Sequence, residues 1–187
     1  MYYLLETDYF VKPEAFRTRL ISDDFGYSPS KFLRGRHMDP RDAPLEMEAW
    51  ERGANRDGLA ELFLDSVPLF RDDFLSAIRE AGVTNIEDFP VVLRNAEKGL
   101  ELTNYKAVNI LGLVACADMK KSEFTDVTGT GMIAVAFRKL VIDEKAAQGL
   151  YMFRLGQAVA SIIVHERVKA HLDKMDFKYV SWRSLAA

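Results

Sequence analysis

The pattern of hydrophobic and polar positions predicts a strand at the start of the chain and a strand–helix–strand unit further on. Tyr2–Leu5 is aromatic and apolar, as expected of a short strand. Glu61–Asp65 predicts another strand, and after Pro68 apolar residues recur at helical spacing until Gly82 supplies a stop signal. These helical positions are Phe74, Leu75, Ile78 and Ala81. Ile86–Leu93 then predicts an extended segment, so the local unit is a helix between two strands.

The second half of the chain is dominated by strand patterns and ends with another helix. Tyr105–Cys116 is an apolar run in which Gly112 and the β-branched residues favour a buried strand over a helix. Further strands are predicted at Met132–Phe137, Lys139–Ile142, Tyr151–Leu155 and Val159–Val164. An amphipathic helix is predicted to begin near His165, and Phe177–Trp182 to form a terminal strand. The apolar stripe of that helix consists of Val168, Leu172 and Met175.

The segment Asp23–Gly58 follows neither the helix period nor the strand period. It combines prolines and glycines with dense charge of both signs. A loop of this length is usually functional, disordered or held by a partner, and we predict a surface loop with a short helix near Leu45–Arg52. The predicted organisation is an N-terminal strand and irregular charged segment over residues 1–60, followed by an α+β core over residues 61–187, in one continuous domain.

These elements predict an α+β fold with mostly antiparallel sheets and a few packed helices. Leu62–Leu93 and Val159–Trp182 share the order strand, helix, strand, which an internal duplication would produce. The packing of a helix on a sheet in any α+β protein produces the same order, so both explanations remain open.

Composition narrows the class of protein. The chain has 187 residues, a formal net charge of -3 and one cysteine, which fits a globular domain in a reducing compartment and favours the cytoplasm. Its start does not resemble a secretory signal, and its longest uncharged apolar stretch, Ala107–Ala117, is shorter than the roughly 18 residues of a membrane helix. A mildly acidic chain also lacks the basic footprint of a nucleic-acid binder. We expect no direct binding to membranes or nucleic acid.

The charge is unevenly distributed along the chain. Glu61–Glu101 contains nine acidic and four basic residues, whereas Leu102–Ala187 contains eight acidic and twelve basic residues. The acidic centre can be an ordinary solvated face, or it can be a patch that docks a basic partner.

Residues with potential for catalysis or metal binding do not form a recognisable motif. His165 and His171 are six residues apart on one predicted helix and so face different sides, whereas the zinc-protease pattern places its ligands four apart. His165 is instead expected at the helix N-terminus, with Glu166 in the first turn. Cys116 lies in an apolar run with no nearby base or cation, which predicts a buried core residue rather than a nucleophile.

Gly129–Ala134 matches the form of the dinucleotide-binding motif but not its context. That motif needs a strand before it and a helix after it, and here a strand is predicted to follow. A loop or hairpin turn explains these glycines better. An enzyme using Asp118, His165 and Glu166 is the weakest of the functional hypotheses, because a lone carboxylate specifies no reaction. We therefore predict that the protein is not an enzyme.

The ordered set of blocks from Leu62 onward resembles a known family. The blocks are Phe74–Gly82, Asn85–Leu93, Tyr105–Leu111, Ala117–Asp118, Lys139–Asp143, Met152–Leu155 and Ile162–Lys169. In order and spacing they resemble the Myxococcus-type immunity family eleven of bacterial polymorphic-toxin systems, formerly a domain of unknown function. The Tyr2–Glu6 opening is also similar. Two departures are His165, where the family usually has a serine, and Asp23–Gly58, which matches no family feature.

The resemblance implies an immunity protein that neutralises a cognate toxin by stoichiometric binding in the cytoplasm, without catalytic residues or cofactors. An acidic surface would complement the basic cleft of a toxin that acts on nucleic acid. The candidate contacts on that basis are Asp65, Asp72, Asp73, Glu87 and Asp88. Each can equally be an ordinary surface acid. The alternative function is a non-catalytic module that binds a small molecule or serves a regulatory role.

Overall fold

Strands make up most of the regular structure in the computed structural model of this chain, which describes residues 1–7, 17–21, 27–50, 60–65, 67–96, 99–147 and 149–185. The strands are β1 Tyr2–Thr7, β2 Arg17–Leu20, β3 Leu45–Trp50, β4 Leu62–Phe63, β5 Leu69–Arg71, β6 Ile86–Asn95, β7 Leu100–Leu102, β8 Tyr105–Ile110, β9 Leu113–Val114, β10 Glu123–Thr125, β11 Ala136–Lys139, β12 Met152–Leu155, β13 Ala158–His165 and β14 Val180–Ser184. The helices are α1 Pro29–Phe32, α2 Asp72–Glu80 and α3 Glu166–Leu172. The predicted α+β class is confirmed.

The strands form two large sheets and a small hairpin. One sheet has the order β14-β1-β13-β12-β9, and the larger has the order β2-β3-β6-β8-β5-β4 with β7 paired to β6. Within the described residues the strand pairs are antiparallel except β3–β6 and β9–β12, which are parallel, so the sheets are mixed. No helix in these residues is long and apolar enough to cross a membrane.

The predicted long strand Tyr105–Cys116 is divided between the two sheets. Its first part, β8, lies in the larger sheet, and β9 pairs with β12 in the five-stranded sheet. The chain changes direction at Gly112, whose φ of 116° suits glycine far better than a residue with a side chain. The Asn85 side-chain amide donates to the carbonyl oxygens of Leu111 (2.5 Å) and Met152 (2.8 Å) and so links the two sheets at this point.

Helices α2 and α3 begin and end close to the predicted positions and share one core. Phe74 and Ile78 of α2 and Val168 of α3 are buried in a cluster that also contains Val108 of the larger sheet and Val164 of the five-stranded sheet. His165 caps α3 as expected, and its Nδ1 accepts from the backbone N–H of Arg167 at 3.2 Å. The core thus joins both sheets through the helices.

The structure contains two strand–helix–strand units with the same connection, although the first begins with β5 rather than with the strand predicted over Glu61–Asp65. β5 and β6, joined by α2, lie on either side of β8, and both are antiparallel to it. β13 and β14, joined by α3, flank β1 in the same way. Helix-on-sheet packing can produce this arrangement without duplication, so the duplication stays a prediction.

The predicted helix near Leu45–Arg52 is wrong, because Leu45–Trp50 forms strand β3. Leu45, Met47 and Ala49 are buried in the core, while Glu46 and Glu48 between them are only half-buried. This is the alternation of a strand, which the dense charge around it obscured. The segment predicted as irregular also contains α1, whose Phe32 is fully buried.

Residues 1–60 therefore supply strands to both sheets. The domain boundary at residue 60 stays a prediction, and residues 51–59 lie outside the described part of the chain. Three further strand predictions differ from the structure. The strands expected at Met132–Phe137 and Lys139–Ile142 are replaced by β11, Ala136–Lys139, and the terminal strand is displaced to Val180–Ser184.

Candidate functional site

A groove of about 730 Å³ opens where the chain passes from β8 to β9. Its apolar lining consists of Leu33, Leu113, Ile133 and Val159, and its cationic lining of Arg34 and Arg36. We call it the arginine groove. Its lining residues come from the loop after α1, from β9, from the segment before β11 and from β13, so the tertiary fold rather than any local motif assembles it.

One wall of the arginine groove is fixed by close contact between two glycines. The backbone N–H of Gly112 donates to the carbonyl oxygen of Gly35 at 3.1 Å. A Cβ at Gly35 would lie 2.9 Å from the Gly112 carbonyl carbon, and Gly35 has a φ of 62°. The next residue, Arg36, accepts a hydrogen bond from the Asn109 side-chain amide at its carbonyl oxygen (2.7 Å). The loop is therefore anchored at two consecutive residues, Gly35 and Arg36.

Arg34 and Arg36 present their charges at the surface of the groove. Both residues are exposed, and neither side chain forms an ion pair or hydrogen bond with any residue in the described part of the chain. Their backbones are held by the contacts above while their guanidinium groups remain available. An anionic ligand would meet two cations without having to displace an existing partner.

Ile133 exposes an aliphatic side chain from a strained backbone. The residue is 63% exposed and has a φ of 73°, a conformation that is unfavourable for a β-branched residue. The backbone N–H of Ala134 donates to the carbonyl oxygen of Met132 at 2.9 Å, which makes Ile133 the centre of a γ-turn. Ile133 also donates to the Gly156 carbonyl oxygen (3.0 Å) and accepts from the Val159 N–H (3.1 Å), so both sides of its backbone are held.

Arg154 is buried next to two lining residues of the groove, Leu113 and Val159, with most of its guanidinium unpaired. The residue is 1% exposed, and its Nη1 donates to the carbonyl oxygen of Val159 at 2.9 Å. Nε and Nη2 have no hydrogen-bond partner. Burial lowers the pKa of this guanidinium to about 10. Arg154 pairs in register with Leu113, so the two side chains project to the same face of the sheet, and Leu113 lines the groove.

Asp72, Asp73, Glu87 and Asp88 each have a basic partner within the protein. Asp72 lies 3.7 Å from the Lys106 ammonium, and Asp88 pairs with Arg79. Asp73 accepts two hydrogen bonds from Arg71, each of 2.7 Å, and these bonds hold its pKa below the usual value. Glu87 lies 2.6 Å from His37 Nδ1. Because each carboxylate is partly neutralised by its basic partner, it would attract a basic toxin less strongly than an unpaired carboxylate would.

Glu87 also receives hydrogen bonds from the Asn109 side chain (2.8 Å) and the Met38 backbone N–H (3.2 Å). Burial alone would raise the pKa of Glu87, but the hydrogen bonds from His37, Asn109 and Met38 outweigh that effect and lower it. These contacts join the loop after α1, at His37 and Met38, to strand β6.

The five acids do not form a single patch. Glu87 and Asp88 are neighbours on β6 and so project to opposite faces of the larger sheet. Asp65 lies elsewhere, where its carboxylate accepts from the backbone N–H of Thr18 at 2.8 Å and helps to place β2. Asp72 and Asp73 are at the start of α2. Their role as toxin contacts stays a prediction.

The residues considered for catalysis are held in separate local structures. Cys116 is buried as predicted, and burial raises the pKa of its thiol to about 12. Asp118 accepts from the backbone N–H groups of Lys120 (3.1 Å) and Lys121 (3.2 Å) and thus closes a turn. No cluster of three or more histidine, cysteine, aspartate or glutamate residues suited to a metal ion occurs among the described residues.

The dinucleotide-like segment Gly129–Ala134 belongs to the connection between β10 and β11. The Asp126 carboxylate accepts hydrogen bonds from the backbone N–H groups of Gly129 (3.0 Å) and Gly131 (2.5 Å). A hairpin connection, as expected from the sequence, therefore accounts for these glycines.

The sequence contains one signal for this site, at Arg154. Arg154 is a charged residue inside the otherwise apolar strand Met152–Leu155, whose four residues are all buried. A buried charge in such a strand indicates either a partner or a ligand. The groove itself has no such signal, because its members are far apart in sequence.

Comparison with protein-family models and with curated proteins finds no match to this chain.

Proposed function

We propose that this protein is an immunity protein that neutralises a cognate bacterial toxin by stoichiometric binding in the cytoplasm. The observation that carries the proposal is Ile133, an exposed aliphatic side chain held in a strained turn at the rim of the arginine groove. Strained backbone conformations persist where the surrounding structure imposes them, and they concentrate at functional sites. An exposed apolar side chain on a strained backbone does not stabilise the fold, but it would be buried on binding to a partner.

The arginine groove has the character of an anchoring point in a protein interface. Leu113 and Ile133 are partly exposed apolar residues, and Arg34 and Arg36 form a polar rim around them. Protein interfaces typically have an apolar centre that carries much of the binding energy and a polar rim, with arginine among the enriched residues. An apolar side chain of the toxin, next to an acidic one, would complement this surface.

The acidic residues are secondary candidates in this proposal. Asp72 and Asp73 are half-exposed despite their basic partners. They could still contribute long-range attraction to a toxin with a basic cleft, such as one that acts on nucleic acid. Asp65, Glu87 and Asp88 are more enclosed, and their contacts within the protein account for them.

Co-expression with the C-terminal domain encoded by the neighbouring gene tests the proposal. We expect rescue of cell growth and a complex of equal stoichiometry that elutes together from a sizing column. Ile133→Asp should weaken the complex by about tenfold or more, because it places a charge at an apolar contact. Ile21→Asp is the matched control, since Ile21 is 52% exposed and does not line the groove. Separate elution of the wild-type pair would refute toxin binding.

One observation favours the alternative, a module that binds a small molecule. A protein partner needs only the exposed surface of the groove, whereas Nε and Nη2 of Arg154, which have no hydrogen-bond partner, are buried. A small anion could reach them more readily than a folded partner could. Thermal stabilisation by a small anionic ligand in the absence of any toxin would support this second function.

A further inference from the structure

We propose that the arginine groove binds a free aliphatic carboxylate, and that the carboxylate forms a two-point hydrogen-bonded ion pair with Arg154. The aliphatic chain would lie against Leu113, Ile133 and Val159. This proposal goes beyond toxin neutralisation, because the ligand is a small molecule and its binding requires no partner protein.

The unpaired atoms of Arg154 match the shape of a carboxylate. Nε and Nη2 are the two atoms without a partner, while Nη1 is already bonded to the Val159 carbonyl oxygen. Nε–H and Nη2–H lie on one edge of the planar guanidinium and point in parallel, so they can donate to both oxygens of one carboxylate.

The same edge of an arginine is occupied by a carboxylate elsewhere in this protein. Nε of Arg71 donates to Oδ1 of Asp73 and Nη2 donates to Oδ2, both at 2.7 Å. Arg154 has this edge free although it is far more buried than Arg71. A buried charge without an ion-pair partner is unfavourable, and a bound carboxylate would supply the missing partner.

Arg154 lies on the groove side of the five-stranded sheet. Its register partner Leu113 projects to the same face and is 41% exposed in the groove, and its hydrogen-bond partner Val159 lines the groove as well. β9 is only two residues long and forms the edge of the sheet. The proposal requires the Leu113 side chain to rotate and admit the carboxylate, which is a fast motion for an exposed residue.

The rest of the groove suits an anion with an apolar body. Arg34 and Arg36, which have no ionic partner in the described part of the chain, would attract the carboxylate to the opening. The volume of about 730 Å³ lies in the range of small-molecule sites. The aliphatic lining favours a hydrocarbon chain over a polar sugar or nucleotide, and this distinguishes an aliphatic carboxylate from a phosphorylated metabolite.

Calorimetric titration of the full chain with octanoate, with octanol and with inorganic phosphate tests the proposal. We expect octanoate to bind, and octanol to bind about 10–100-fold more weakly because it cannot replace the charged hydrogen bonds. Arg154→Met should weaken octanoate binding by a similar factor and leave octanol binding unchanged. Equal binding of octanoate and octanol, or of octanoate to wild type and Arg154→Met, would overturn the proposal. Phosphate binding as tight as octanoate binding would overturn the assignment to an aliphatic carboxylate.

A measurement on the wild-type protein covers the case in which Arg154→Met does not fold. The Nε–H resonance of Arg154 should shift when octanoate is added and should not shift with octanol. An unchanged Arg154 resonance at saturating octanoate would contradict the proposed ion pair. Because these experiments contain no toxin, their failure leaves toxin neutralisation untouched, and failure of the toxin complex leaves octanoate binding untouched.

Discussion

Gly35 lies directly against Gly112, with the Gly112 N–H donating to the Gly35 carbonyl oxygen at 3.1 Å. The contact joins the loop after α1 to the point where the chain passes from one sheet to the other. A Cβ at Gly35 would be 2.9 Å from the Gly112 carbonyl carbon, closer than atoms of this kind approach without a shift. Both residues also have positive φ angles. The wall of the arginine groove therefore depends on two glycines that meet.

Gly35→Ala should lower the free energy of unfolding by about 2–4 kcal/mol, because it adds a backbone clash to the strain of a positive φ. Gly99→Ala is the matched control. Gly99 has a φ of 61° but no atom within 4 Å of an added Cβ, so it should cost only about 1 kcal/mol. Urea denaturation of both variants gives the comparison. Equal decreases in unfolding free energy for the two variants would mean that Gly35 and Gly112 are not in close contact in solution.

The strain at Ile133 can be measured with glycine substitutions. Glycine adopts a φ of 73° readily, so Ile133→Gly should relieve about 1–2 kcal/mol of strain while increasing the entropy of the unfolded chain. Ile21→Gly should show the entropic loss without the relief, because Ile21 is comparably exposed and is not a positive-φ residue. We expect Ile133→Gly to be the more stable of the two by about 1–2 kcal/mol in denaturant titrations. If the unfolding free energy of Ile133→Gly is equal to or smaller than that of Ile21→Gly, the turn at Ile133 is unstrained.

Helices α2 and α3 were predictable because each carries its own signals. A stripe of apolar residues at helical spacing defines each helix, and Gly82, with a φ of 98°, follows the end of α2. His165 likewise marks the start of α3. Such signals act within one or two turns of chain, so the sequence is sufficient to locate them.

Strand β3 and the groove could not be predicted in the same way. The alternation of Leu45, Met47 and Ala49 with two glutamates is only a few residues long and lies beside a stretch rich in proline and charge. Its parallel pairing with β6 is a long-range contact that no local pattern specifies. The groove requires the fold to bring Gly35 to Gly112 and Arg154 beneath Val159, and composition carries no information about either contact.

The acidic candidates should separate into structural and surface residues when they are replaced. Asp65→Ala removes the acceptor of the Thr18 backbone N–H and should cost about 1–2 kcal/mol of unfolding free energy. Asp72→Ala removes only a half-exposed ion pair with Lys106 and should change stability by less than about 0.5 kcal/mol. Thermal melts of both variants test this difference. If Asp65→Ala has the same melting temperature as the wild type, the Asp65 carboxylate is not needed for stability, and a role in partner contact is favoured instead.

The buried Cys116 thiol should make the protein less stable at alkaline pH. Its pKa is raised from 9.0 to about 12 in the folded state, so the unfolded chain loses this proton first as the pH rises. The stabilisation is present in full below pH 9 and is lost as the pH approaches 12, with a slope of up to about 1.4 kcal/mol per pH unit. Between pH of about 8 and about 10, the unfolding free energy of wild type should fall more steeply than that of Cys116→Ala. Parallel pH profiles would mean that the thiol reaches solvent.

Arg154→Met should stabilise the protein in the absence of ligand. The buried guanidinium has two unpaired N–H-bearing nitrogens and no acidic partner among the described residues, and methionine fills a similar volume without that penalty. We expect the free energy of unfolding to rise by about 1–3 kcal/mol. Arg138→Met is the control, because Arg138 forms an exposed ion pair with Glu123 and its loss should change stability by less than about 0.5 kcal/mol. A large loss of stability in Arg154→Met would show that the guanidinium is already satisfied in solution, by water for example. A more stable variant that no longer binds octanoate would instead have gained stability by losing a functional charge, which is the trade-off expected at a binding site.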